Sequence, residues 1–188
     1  EDVLKEKEEG NFDAVYLSIG AQLIHKEEIQ RDNSVYVTDA FSFFKEVKSD
    51  PAIYQAKKVV VYGGGKLSLY LSRILKRLGS DVSVYFNGDK KMMPAYDYET
   101  EDALAEGVNV QLFRRINKIE NKKVVLEIMK VEKSKSIGTN EFEITDADIV
   151  IMANQQECDS GFLRSANGLI MNADGTVTID AQRMTGCD

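Results

Sequence analysis

At 188 residues the chain is long enough to bury a core of its own. Apolar residues make up 43% and charged residues 29%, the balance of a globular domain rather than a disordered one. A net charge of −7 excludes a general nucleic-acid binder, which needs a basic face, and leaves open a nucleotide, which needs only local donors. No apolar run approaches the roughly 18 residues of a membrane span, and no signal-peptide pattern opens the chain, so a cytoplasmic protein is expected.

In chain order, Phe12 to Gly20 reads as a buried strand stopped by glycine. Residues 21–38 read mostly as loop, with a short Val35-Tyr36-Val37 segment. Asp39 to Lys48 reads as a helix with Thr38 or Asp39 as N-cap and Pro51 beyond its end. Lys57 to Tyr62 is a β-branched strand that runs into Gly63-Gly64-Gly65. Leu67 to Leu78 follows as an amphipathic helix closed by Gly79. Asp81–Phe86 is a strand, Glu99–Glu106 a helix closed by Gly107, and Val108–Phe113 a third strand.

The pattern then changes. Lys122–Glu132 reads as a strand, residues 133–140 as a polar turn, and Glu141–Thr145 and Asp148–Ala153 as two more strands. Strands joined by short turns predict an antiparallel meander beside a parallel sheet. Asn172-Ala173-Asp174-Gly175 is a hairpin turn signal between Gly168–Ile170 and Thr176–Ile179.

The most informative stretch is Val59 to Ser68. A strand, a glycine turn and a helix start make the opening of a dinucleotide-binding βαβ unit. The first glycine allows the tight turn, the second lets a pyrophosphate reach the backbone, and a small third residue lets the helix pack on the strand. Those roles fall to Gly63, Gly65 and Ser68, a GxGxxS pattern. No other chemistry is spelled out. Cys158 and Cys187 form no CxxC, and His25, the single histidine, has no companion ligands for a metal. Tyr96, Tyr98, Arg114 and Arg115 read as packing or solvated residues.

The ordered motifs resemble the pyridine-nucleotide domain of two-dinucleotide-binding flavoproteins, nearest to the glutamate synthase small subunit and related iron–sulfur flavin oxidoreductases. Phe12 to Ala21 is similar to that family's "YDAVxLAxGA" segment, and Val59 to Gly79 to "VVVIGGGNTAMDxARxxxRLG". Met93-Pro94-Ala95 with Ala103 to Val108 resembles "MPA…A(x)EEGV", and Asp148 to Asp159 resembles "DxVIxAIGQxPD". Gly168-Leu169 and Thr176–Asp180 resemble the hairpin that precedes the family's "VFAxGD" flavin motif.

The resemblance implies an α/β fold: a Rossmann-like parallel sheet with an antiparallel β-meander. It implies a single pyridine-nucleotide-binding domain excised from a longer flavoprotein. Residues 1–22 would be the crossover from the flavin domain, 57–160 the nucleotide-binding core, and 161–188 the return toward the flavin domain. Gly63, Gly64, Gly65, Lys66 and Leu67 would cradle the pyrophosphate, Asn87 and Lys90 would lie near the adenosine ribose, and Gly20 and Asn154 would approach the nicotinamide. The cofactor would be NAD or NADP. FAD, with an iron–sulfur cluster as a further carrier, would belong to the longer protein and not to this segment. The partners would be the flavin domain and other redox subunits. Hydride transfer is the cofactors' chemistry, so no catalytic residue and no metal ligand is expected.

The chain departs from the family pattern at several positions. Lys66 stands at an asparagine position, Leu67 at a threonine or valine, Tyr70 at an aspartate and Gln155 at a glycine. Asn87 and Gly88 stand where NADPH-using relatives carry two arginines. A second reading stays open on these grounds: a degenerate Rossmann frame with weak or no dinucleotide binding, serving as scaffold or interaction surface in a redox complex.

Overall fold

The computed structural model describes residues 2–21, 23–24, 28–154, 156–166 and 168–185. The chain divides into two compact units, Glu1–His25 with Gln156–Asp188, and Lys26–Gln155.

The first unit opens with α1 (Asp2–Glu8) and β1 (Leu23–Ile24). The second carries β2 (Gln30–Arg31), β3 (Tyr36–Asp39), α2 (Ala40–Ser49), β4 (Lys58–Tyr62), α3 (Lys66–Arg77), β5 (Asp81–Tyr85), α4 (Asp97–Ala105), β6 (Asn109–Gln111), β7 (Arg114–Glu120), β8 (Lys123–Glu132), β9 (Lys135–Asp146) and β10 (Ile149–Met152). The chain re-enters the first unit at β11 (Gln156–Glu157), antiparallel to β1.

In the second unit β3-β10-β4-β5-β6 form one sheet, parallel throughout. The order shows how it is wound. From β4 the chain steps outward through α3 to β5 and through α4 to β6, and β10 later enters on β4's other side. The carboxyl ends of β4 and β10 therefore flank the point where the winding reverses, the place where open α/β sheets bind ligands. A second sheet, β2-β7-β8-β9, is the expected meander, with antiparallel β7-β8-β9 and a parallel pairing of β2 to β7.

Alternation of side chains gives the strands two buried faces. Val60, Tyr62, Tyr85 and Val150 pack with Ile116, Ile119, Val124 and Leu126 of the meander. Val59, Val61, Val82 and Ile151, on the opposite parity, are buried as well. Asp39 caps α2 as expected, its carboxylate accepting from the N–H groups of Phe41 and Ser42. Gly79, at φ 82°, closes α3 in the left-handed conformation that an L residue rarely adopts.

α3 and α4 are tied by charge. Glu106 accepts from Arg73 Nε at 2.7 Å and from Arg77 Nε at 2.9 Å, and Arg73 also reaches Asp102 at 3.1 Å. The hydrogen bonds from Arg77, then those from Arg73, hold the Glu106 carboxyl down at about 2, against an ordinary 4.5. Because the folded value lies below the unfolded one, this stabilisation is complete above pH 4.5 and is lost as pH falls toward 2. Thermal unfolding across that window should show a steeper acid loss in the native protein than in Glu106→Gln; equal slopes would refute the linkage.

Four local expectations change. Residues 12–20 form no strand: they join no ladder, and Phe12, Tyr16 and Leu17 are exposed, Tyr16 by 91%. A strand exists through its ladder partner, and β1 with β11 is the ladder this unit forms among its described residues. The strand expected over Val108–Phe113 shortens to Asn109–Gln111, and Phe113 turns the chain at φ 57°. β7 was unexpected because Ile116 and Ile119 are three apart. A bulge between Ile116 and Lys118 resets the alternation, so both isoleucines face the core. The polar turn expected over 133–140 contracts to Lys133-Ser134, both at positive φ, and β9 begins at once. Asn121-Lys122 makes the same two-residue turn between β7 and β8.

In the first unit the hairpin turn at 172–175 forms, with Asn172 N–H donating to Thr176 O at 2.8 Å. Its flanks amount to one bridge, Met171 to Val177. Among the described residues no helix is long and apolar enough to cross a membrane.

Candidate functional site

The site is built from the chain leaving β4. Gly63 N–H donates to Tyr85 O at 3.0 Å, and Ala153 N–H donates to Tyr62 O at 2.8 Å, so the ladders hold the loop on both sides. Gly63 sits at φ 150°, and a Cβ there would lie 2.6 Å from the Ala153 carbonyl carbon and 3.0 Å from Asn154 N. At Gly64 a Cβ would fall 2.7 Å from Cγ of the Phe86 ring. At Gly65 a Cβ would meet nothing within 4 Å. The three glycines thus have three different reasons: a backbone crossing, an aromatic floor and an open approach.

Gly65 is the N-cap of α3 and offers no side-chain cap. The first turn of the helix therefore presents backbone N–H groups and the positive end of its dipole toward that opening. Ser68, fully buried, donates from Oγ to Gly65 O at 2.6 Å, so the third small residue packs the helix and closes its first turn. Lys66 is the first residue of α3 and Leu67 the second. Tyr70 turns outward against the Phe44 ring of α2 at 6.0 Å, so its bulk lies on the helix surface.

The segment before α4 leans on the same loop. Ala95 N–H donates to Gly64 O at 3.2 Å. Tyr96 N–H donates to Glu99 Oε2 at 3.0 Å, the reciprocal half of a capping box. Glu99 Oε1 lies 3.6 Å from Lys66 Nζ. The exposed rings of Tyr96 and Tyr98 stack on each other at 5.8 Å.

The predicted residues distribute as follows. Gly63, Gly64, Gly65, Lys66, Leu67 and Asn154 come together at the ends of β4 and β10. Asn87 follows β5, and its carbonyl accepts from Ser136 Oγ of β9. Lys90 pairs with Asp97 at 3.2 Å. Gly20 belongs to the first unit, at φ 66°. Gln155, His25 and Cys187 lie outside the described residues. Cys158 is half-buried in the first unit.

Sequence reasoning missed Glu99 and Phe86. The signal for Glu99 was an acidic residue in the first turn of a helix, which by itself promises only a cap. Phe86 carried none. Among the described residues no group of three or more His, Cys, Asp and Glu could hold a metal ion.

Comparison with known proteins fits this geometry. The family of pyridine nucleotide-disulphide oxidoreductases matches over residues 1–188. The NADPH-Fe(3+) oxidoreductase subunit beta of Geobacter sulfurreducens is 26% identical over 94% of this chain and 29% of its own length. The chain thus spans less than a third of that curated relative. Thioredoxin reductase of Lactococcus lactis superposes with a TM-score of 0.66 at 16% identity, over 87% of this chain and 51% of that one. Thioredoxin reductase of T. acidophilum gives 0.67 at 12% identity with the same coverage. The bacillithiol disulfide reductase of Staphylococcus aureus gives 0.61 at 16%, over 85% of this chain and 46% of that one. These likenesses support the α/β fold, and the match over the whole chain shows that it belongs to the pyridine nucleotide-disulphide oxidoreductase family.

Proposed function

We propose that the Lys26–Gln155 unit binds NAD(P)H for a flavoprotein oxidoreductase and presents its nicotinamide to FAD carried elsewhere in a longer chain. The observation that carries this is the empty space in front of Gly65, at an uncapped helix N-terminus beside the switch point of the sheet. A pyrophosphate there would meet backbone N–H donors, the helix dipole and the Lys66 ammonium. Asn87 and Lys90 would flank the adenosine ribose, and Asn154 the nicotinamide. The bound cofactors would supply the hydride chemistry; the chain supplies position.

Within the family we take the motif order as that of the glutamate synthase small subunit and related iron–sulfur flavin oxidoreductases. The first unit supports a flavin domain completed by further segments. Phe12, Tyr16, Phe162, Ile170, Ile179 and Met184 are all exposed in it, and so many apolar side chains call for a cover. Residues 1–22 would then be the crossover from the flavin domain, 161–188 the return toward it, and 57–160 the nucleotide-binding core. The relative's description as a subunit supports redox subunits as partners.

Titration with NADH, NADPH and ADP-ribose tests the reading. A Cβ at Gly65 meets nothing within 4 Å, so Gly65→Val should keep its fold while affinity drops by about tenfold or more, equivalent to about 1.4 kcal/mol. No saturable binding at millimolar ligand would refute the reading. One observation favours the second reading, a frame that has lost its ligand: Glu99 already engages Lys66.

A further inference from the structure

Lys66 and Glu99 differ in how firmly they are held. The Lys66 side chain is 74% exposed on a flexible stem, whereas that of Glu99 is 11% exposed. One oxygen of Glu99 accepts from Tyr96 N–H, and the segment carrying Tyr96 is pinned to the glycine loop through Ala95 and Gly64. The carboxylate is therefore a fixed anion at the edge of the site, and the ammonium is a movable cation leaning on it. On the same helix Asp97 pairs with Lys90 and Asp102 with Arg73. Glu99 is thus the fixed negative charge set toward Lys66.

We infer that Glu99 is a positioning residue that sets the affinity of the glycine loop for pyrophosphate-bearing dinucleotides by competing with them for Lys66. This rests on the nucleotide-binding reading above. A ligand pyrophosphate at the start of α3 must draw Lys66 away from Glu99 and also lie near an uncompensated carboxylate. Both effects weaken binding, and both vanish when Glu99 loses its charge. The lysine that replaces the family's asparagine is then a conditional ligand, held back until the carboxylate is outcompeted.

Glu99→Gln isolates the charge, because the amide oxygen still accepts from Tyr96 N–H and the side-chain volume is kept. Calorimetric titration of the full chain with ADP-ribose should show roughly three- to tenfold tighter binding in Glu99→Gln at low salt, the scale expected of one partly screened charge pair. The gain should shrink in 1 M salt, where screening acts over about 3 Å. It should also be smaller in the Lys66→Met background, where no ammonium is released. A capping or packing role for Glu99 would move neither the salt dependence nor the coupling to Lys66. Unchanged or weaker binding by a folded Glu99→Gln, or an equal gain with and without Lys66, would overturn it and leave the nucleotide-binding reading standing. Absence of binding in every variant would overturn both.

Discussion

Alanine at Gly63 is expected to destabilise the protein by about 3–5 kcal/mol, the largest effect of any substitution in the glycine loop. Two separate causes add. At φ 150° an L residue is strained, which costs about 1–3 kcal/mol. The new Cβ would also drive into the Ala153–Asn154 peptide. That obstacle is backbone, fixed by the Ala153-to-Tyr62 hydrogen bond on one side and the Gly63-to-Tyr85 bond on the other, so it cannot rotate aside. Overpacking against a fixed neighbour adds about 1–3 kcal/mol.

The three glycines should then rank by what they face. Gly64→Ala meets the Phe86 ring, a side chain able to shift, and should cost less than Gly63→Ala. Gly65→Ala meets open space at φ −89° and should unfold within about 1 kcal/mol of the native protein. Urea denaturation of the three variants checks the order. A Gly63→Ala midpoint equal to the native one would mean that β4 and β10 do not cross as closely as described. Gly63 is thus required by the close approach of the Ala153–Asn154 backbone, whereas nothing packs against Gly65.

The glycine loop was legible because its causes are local. A β-branched run, a glycine at an awkward dihedral angle and an amphipathic helix with a closing glycine are written consecutively from Val59 to Gly79. What stayed hidden depends on contacts distant in sequence or on broken periodicity. Glu99 reaches Lys66, 33 positions earlier in the chain, with the Ala95-to-Gly64 hydrogen bond holding the two segments together, which no spacing announces. β7 hid behind a bulge, and β9 behind its polar first half, because an edge strand half open to water needs few apolar residues. Phe12 to Gly20 misled in the opposite direction. Its apolar residues read as buried, but burial needs a partner surface, and in this unit Phe12, Tyr16 and Leu17 remain in solvent.

Removing the guanidinium of Arg115 is expected to cost about 2–3 kcal/mol, because it strands a buried carboxylate. Glu127 lies directly across the ladder from Arg115, and its side chain is 6% exposed. Its Oε2 accepts from Arg115 Nη2 at 2.5 Å and its Oε1 from Asn140 N–H at 3.4 Å. Gly138 makes the room: a Cβ there would fall 2.7 Å from the carboxyl carbon of Glu127. The half-exposed guanidinium brings the expected cost to or just below the bottom of the roughly 3–5 kcal/mol range for breaking buried pairs. Arg115→Leu should therefore lower the urea midpoint, and Arg115→Leu with Glu127→Leu should recover most of the loss, since the penalty belongs to the unpaired charge. A double variant no better than the single one would assign the loss to packing instead. The consequence reaches the end of β5. Glu127 and Gly138 flank the irregularity that sets the register of β8 on β9, and Ser136, two residues before Gly138, supports the Asn87 carbonyl just beyond the end of β5. A strand that slips to accommodate a stranded carboxylate would withdraw that support. On the nucleotide-binding reading, Arg115→Leu should thus also weaken ADP-ribose binding, although Arg115 pairs with Glu127 and not with the glycine loop.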